Sequence, residues 1–194
     1  MNIYLAGKIS KNDWRHGIVP GLRETLIAGD KEPTEWPTEV AFEVENVKHI
    51  YVGPFFMCCD HGCGHGRNEH GLGMELRGCM DALAVWGPKV HDMPWRARHE
   101  VFRRCGQAIR ACDLFYVWLD QRDAYGTLVE IGIARMMSKK ICIASPRSFD
   151  TDDFWFAVQA SDRTITSENP ATGLATVIRE IDGDRRLRSA MGLM

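Results

Sequence analysis

An apolar run between two aspartates constrains the fold of this chain more than any other feature. Residues 113–119 have the sequence DLFYVWL, and Asp120 follows them. A continuous apolar run of this length, without alternating polar positions, is typical of a central strand that is buried on both faces. The run therefore predicts a sheet that is covered by other elements on each side.

Other parts of the chain supply the elements that such a sheet needs. We predict strands over residues 2–6, 48–52, 140–144 and 163–166, and helices over residues 95–112, 127–138, 152–160 and 170–182. A further helix carrying Trp14 and Ile18 should be interrupted near Pro20. Strands that alternate with helices favour a parallel sheet covered on both sides. The predicted fold is a single doubly wound, flavodoxin-like α/β domain over residues 1–194.

Residues 53–94 interrupt this pattern with eight glycines and three prolines, and predict an irregular insertion. Three interpretations stay open. The first is a structural zinc site, with Cys58, Cys59, Cys63 and His65 as ligands. The second is a loop that closes over a ligand, with contacts from Phe55, Phe56, Asp60 and His61. The third is a glycine-rich excursion with a purely structural role.

Composition excludes several classes of function. Apolar residues make up 45% of the chain and charged residues 26%, as in an ordinary globular domain. A net charge of −2 gives no general attraction for nucleic acid polymers or anionic membranes. The N-terminus lacks the pattern of a signal peptide, and seven cysteines is an odd number. We therefore expect a cytoplasmic protein whose partner is a small molecule.

The loop after the central run carries the candidate chemistry, because ligands of open parallel sheets bind beyond the carboxyl ends of the strands. Gly126 permits a tight turn there, Thr127 can cap the next helix, and Glu130 is expected in its first turn. A carboxylate at that position should be held ionised. The alternative is that Thr127 and Glu130 form only a capping box.

Three segments stand out in their order and spacing: IYLAG at residues 3–7, ACDLFYVWL at residues 111–119, and GTLVEIGIA at residues 126–134. Together they resemble the nucleoside 2-deoxyribosyltransferase family and related nucleotide N-glycosidases. The family often carries an aspartate on the helix before the second segment, where this chain has Cys105 or a neighbouring arginine.

The resemblance implies specific roles. Glu130 matches the glutamate that attacks C1′ of the sugar, and Tyr4 matches a tyrosine that can hydrogen-bond this glutamate. Asp123, with Asp120 behind it, is the candidate for assistance at the nucleobase. The family needs no cofactor for its chemistry and commonly forms homo-oligomers that complete their sites across subunits.

A strand-to-helix turn after residue 6 bears on the substrate. Gly7 ends the first strand, and Lys8, Ser10 and Arg15 flank the turn, where a 5′-phosphate can be held. The alternative is a solvated loop with ordinary helix caps. The leading hypothesis is cleavage or transfer at the N-glycosidic bond of a nucleoside or its 5′-monophosphate. The alternatives are a non-catalytic nucleotide sensor and a metal-stabilised interaction module.

Overall fold

The structure, a computed structural model, describes residues 1–9, 14–20, 22, 39–54 and 93–191. Side chains in the last range are described from residue 102 onward, apart from that of residue 188. Most of the predicted insertion at residues 53–94 lies outside these ranges. Within them, no helix combines the length and apolar composition that a membrane crossing requires.

The part of the chain that the structure describes contains six strands, and they form one sheet. They are β1 (Asn2–Gly7), β2 (Val40–Val44), β3 (Val47–Gly53), β4 (Leu114–Trp118), β5 (Lys140–Ser145) and β6 (Arg163–Thr166). Their order in the sheet is β2-β3-β1-β4-β5-β6, and only β2 runs antiparallel to its neighbour. The five parallel strands follow the strand order of flavodoxin-like sheets. The predicted α/β class is confirmed, and the predicted parallel sheet is observed as a mostly parallel one with one antiparallel strand.

The helices lie on both faces of this sheet. They are α1 (Arg15–Ile18), α2 (Met93–Ala111), α3 (Tyr125–Met136), α4 (Trp155–Gln159) and α5 (Pro170–Ala190), with a 3₁₀ turn over Asp152–Phe154. Residues of α1 and α5 join one buried apolar cluster, and residues of α2 and α3 join another. The sheet is therefore covered on both sides, as a doubly wound fold requires.

Alternation along β1 decides which side chains meet which helices. Ile3 and Leu5 belong to the cluster shared with α1 and α5, whereas Tyr4 and Ala6 belong to the cluster shared with α2 and α3. Successive side chains of a strand point to opposite faces, so this division follows from the sequence position alone. Tyr4 consequently faces α3, the helix that carries Glu130.

One strand was not predicted. β2 pairs with β3 through a hairpin whose two turn residues, Glu45 and Asn46, have φ angles of 54° and 62°. Positive φ at both positions is what a two-residue type I′ turn requires, and asparagine tolerates it better than most residues. The hairpin adds an antiparallel edge strand to the five parallel ones.

Candidate functional site

Strand order places a crevice between β1 and β4. After β1 the chain forms β2 and β3, which lie to one side of β1 within the sheet. It then forms β4, β5 and β6, which lie to the other side of β1. The direction in which strands are added therefore reverses between β1 and β4. Ligands of open α/β sheets bind at such a reversal, beyond the carboxyl ends of the strands. A cleft of about 280 Å³ lies there, lined by residues 7–9, residues 123–127 and Glu130. Its volume is close to the lower end of the range for ligand pockets.

The end of β1 forms one wall of the cleft. Gly7 pairs with Trp118 of β4 and has a φ angle of 153°. A Cβ atom at Gly7 would lie 2.8 Å from the Trp118 carbonyl oxygen, so a side chain is excluded by both conformation and contact. Gly7, predicted to bind substrate, lines the cleft, and its physical task in this structure is to let β1 and β4 end side by side.

Glu130 lies on the inward face of α3. Thr127, Ile131 and Ala134 are the buried residues of this helix, and Glu130 is three residues after the first of them. Residues three and four apart share one face of a helix, so the half-buried Glu130 side chain is directed toward the sheet. The spacing that places Glu130 on the same helix face as Ile131 and Ala134 was already visible in the sequence.

The start of α3 corrects two predictions. The helix begins at Tyr125, with Ala124 as its N-cap, and no side chain caps it. Thr127 is therefore inside the helix and buried, not its cap, and Glu130 lies beyond the first turn. The capping-box interpretation fails for the same reason. Gly126 and Thr127 both line the cleft.

The carboxylate of Glu130 binds a phenol. The Tyr4 hydroxyl donates a hydrogen bond of 2.5 Å to Oε1 of Glu130. Tyr4 is fully buried, and its ring stacks on Phe115 at 5.0 Å. Burial, followed by the nearby charge of Glu130, raises the pKa of Tyr4 well above its ordinary value. The phenol is therefore a permanent donor at neutral pH.

The same surroundings change the ionisation of Glu130. Burial raises its pKa to about 7, although the Tyr4 hydrogen bond and the positive charge of Arg15 act in the opposite direction. The prediction that the helix start holds this carboxylate ionised is wrong, because desolvation dominates and Glu130 is not in the first turn. At pH 7 the protonated and ionised forms coexist.

Arg15 stabilises the end of β1. It is fully buried and donates hydrogen bonds from Nε to the carbonyl of Leu5 at 2.6 Å and from Nη2 to that of Gly7 at 2.8 Å. A longer bond of 3.5 Å reaches the carbonyl of Lys8. The phosphate contact predicted for Arg15 finds no support, because its guanidinium is directed at the main chain. Its charge instead favours the ionised form of Glu130.

An ion pair joins the two walls of the cleft. Nζ of Lys8, from the loop after β1, lies 2.5 Å from Oδ2 of Asp123, from the loop before α3. The hydrogen bond from Lys8 holds the pKa of Asp123 below its ordinary value. Asp120 is closer to the end of β4 and does not line the cleft. Ile9, Ala124 and Tyr125 line the cleft as well, and none of these three was predicted.

The remaining predicted residues lie outside the described ranges. They are Ser10, Phe55, Phe56, Asp60 and His61 for substrate, and Cys58, Cys59, Cys63 and His65 for zinc. Among the described residues, no group of three or more His, Cys, Asp or Glu side chains could hold a metal. Substrate contacts and zinc ligation by the undescribed residues stay predictions.

Comparisons with known proteins add little. No protein-family model matches the chain, and no curated protein matches it. Among solved structures, the CMP N-glycosidase of Clostridium botulinum superposes with a TM-score of 0.36 and 21% sequence identity, over 42% of this chain and 74% of that one. A likeness at this level establishes neither a common fold nor a common activity. The cytoplasmic location and the homo-oligomeric assembly stay predictions.

Proposed function

We propose that this protein cleaves, or transfers the sugar at, the N-glycosidic bond of a nucleoside or nucleoside 5′-monophosphate. The observation that carries the proposal is the hydrogen-bonded pair of Tyr4 and Glu130 at a cleft between β1 and β4. A carboxylate that only stabilised a helix end would bond to the backbone at that end. Glu130 instead meets a buried phenol from another element.

The chemistry of glycoside cleavage uses these groups directly. The ionised carboxylate of Glu130 attacks C1′, and the bond between C1′ and the base nitrogen breaks with its electron pair leaving on the base, which takes up a proton from solvent. Water, or a second nucleobase, then attacks C1′, gives up one proton to solvent, and releases Glu130 as a carboxylate. Tyr4 holds the attacking carboxylate in one orientation and stabilises its ionised form. Arg15 favours the same form through its charge.

Asp123 is suited to accept a hydrogen bond from the nucleobase and not to donate a proton to it. While Lys8 donates to it, its pKa is lowered and it is ionised at neutral pH. In that state it accepts hydrogen bonds, so we propose that it orients the nucleobase through an N–H group. The proposal for Glu130 is also supported by the resemblance of residues 3–7 and 126–134 to the glycosidase and transferase motifs.

A substrate panel tests the proposal. The purified protein is incubated with nucleosides and their 5′-monophosphates, in ribose and deoxyribose forms, and the released base is measured by chromatography. Release of base from at least one substrate is expected, and addition of a second free base separates transfer from hydrolysis. Binding of a nucleotide without release from any member of the panel would contradict the proposal and favour a sensor.

A further inference from the structure

The ion pair between Lys8 and Asp123 lies across the cleft that contains Glu130. Lys8 belongs to the wall formed by the end of β1, and Asp123 belongs to the wall formed by the loop before α3. Their 2.5 Å contact is therefore a bridge between two separate segments that both face the ligand space. A ligand in the cleft must lie beside this bridge or replace part of it.

Among the described residues that line the cleft, Lys8 supplies the side-chain cation. Among the described residues, Arg15 is another cation near this end of β1, and it is buried and directed at main-chain oxygens. An anionic group that enters the cleft therefore meets Lys8, and Lys8 already has an anionic partner. Binding of that group is a competition with Asp123.

We propose that this ion pair selects for anionic ligands, and that the 5′-phosphate of a nucleoside monophosphate replaces Asp123 as the partner of Lys8. The inference deepens the proposed function and rests on it only in taking the ligand to be a sugar phosphate. A neutral nucleoside has no group that can make this exchange.

Energetics favour the exchange. The Lys8 and Asp123 side chains are 33% and 57% exposed, and ion pairs this exposed contribute little to stability because solvent screens the two charges. Breaking the pair is therefore inexpensive. A phosphate carries up to two negative charges and three acceptor oxygens, so it satisfies the three donors of an ammonium group better than one carboxylate does.

The exchange has a consequence for Asp123. Once a phosphate holds Lys8, like charges repel and Asp123 turns away from the phosphate. The freed carboxylate is then available to the rest of the ligand, including an N–H group of the base. Phosphate recognition and base recognition are coupled in this way through one lysine.

Calorimetric titration with ribose 5-phosphate and with ribose tests the exchange without requiring catalysis, because neither probe has an N-glycosidic bond. The wild-type protein is expected to bind ribose 5-phosphate at least ~10-fold more tightly than ribose. Lys8→Met should abolish the preference. Asp123→Asn removes the competing anion and should tighten binding of ribose 5-phosphate by ~3-fold or more.

A second ion pair provides the matched control. Arg122, next to Asp123 in the chain, pairs with Asp153 at 2.7 Å, and both side chains are 67% exposed. Neither residue lines the cleft, so Asp153→Asn should leave binding of both probes unchanged. Equal binding of the two probes by the wild type, or unchanged or weaker ribose 5-phosphate binding by Asp123→Asn, would overturn the exchange.

The experiments can contradict the exchange at Lys8 and the proposed function independently of each other. If bases are released from nucleosides as readily as from monophosphates, the exchange is wrong and the proposed function stands. If ribose 5-phosphate binds with the expected pattern but no substrate releases a base, the exchange stands and the proposed function is wrong.

Discussion

Tyr4 and Glu130 are 126 residues apart in the chain, and the Tyr4 hydroxyl donates a 2.5 Å hydrogen bond to the Glu130 carboxylate. The contact depends on two periodicities, because alternation in β1 directs Tyr4 to the α3 side of the sheet and helical spacing directs Glu130 inward. Its length is at the short end for hydrogen bonds to a charged oxygen. The pair is therefore part of the fold as well as part of the proposed chemistry.

Tyr4→Phe should lower turnover by ~10-fold or more, because hydrogen bonds to charged groups contribute about 1.5–3 kcal/mol. Steady-state kinetics on the best substrate of the panel measures this. Tyr116→Phe is the matched control, since Tyr116 is also buried and donates one 2.8 Å bond, to the carbonyl of Pro170. Equal losses in the two variants would mean that the Tyr4 effect is only structural.

The pH dependence of kcat/KM should report Glu130. Because burial raises the pKa of Glu130 to about 7 and the ionised form is the nucleophile, activity should increase as the pH rises through that value. In Tyr4→Phe the carboxylate loses a stabilising donor, so the same limb should move to higher pH. A wild-type profile that is already flat above pH 6 would argue against this carboxylate as the attacking group.

Stability should depend on pH through the same residue. The pKa of Glu130 is about 7 in the folded chain and 4.5 ordinarily, so its stabilising contribution is complete below 4.5 and lost as the pH rises through 7. Glu130→Gln stays neutral and avoids this loss. Thermal unfolding should show that the variant gains on the wild type between pH 5 and pH 8, by on the order of 3 °C. A constant difference in Tm across this range would contradict the raised pKa.

Gly53 leaves space for the Tyr4 ring. A Cβ atom on Gly53 would lie 2.5 Å and 2.7 Å from two carbons of that ring and 3.1 Å from Cβ of Ala108. Gly53→Ala should displace Tyr4, lower turnover, and destabilise the protein by about 1–3 kcal/mol. Denaturant unfolding and kinetics measure the two effects. Gly106→Ala is the control, because a Cβ atom there meets open space on helix α2, and it should change neither stability nor turnover. A Gly53→Ala variant as stable and active as the wild type would show that Gly53 does not confine the Tyr4 ring.

Strands with simple patterns were predicted well. The strands predicted at 140–144 and 163–166 are observed as Lys140–Ser145 and Arg163–Thr166. Their apolar or β-branched runs end at turn residues, so local sequence determines both ends. β2 was missed because Val40–Val44 is a short edge strand whose alternation is weak without its hairpin partner.

The sequence predicted where the candidate site residues lie better than it predicted their ionisation and burial. Lys8, Asp123 and Glu130 come together beyond the carboxyl ends of β1 and β4, and Tyr4 bonds to Glu130 from the middle of β1 without lining the cleft. The ionisation of Glu130 could not be predicted from a helix-start argument, because the helix begins two residues earlier than expected and burial outweighs the dipole. The burial of Arg15 was also invisible in sequence, since it depends on the path of the chain around the end of β1.

The most direct test of the account is the turnover of Glu130→Gln. The side chain keeps its size and can still accept the Tyr4 hydrogen bond, but it cannot attack C1′. The account predicts a loss of at least ~100-fold in base release with the fold intact, whereas Glu180→Gln, which removes an exposed carboxylate paired with Arg163, keeps full turnover. A Glu130→Gln variant that releases base at the wild-type rate would contradict the account.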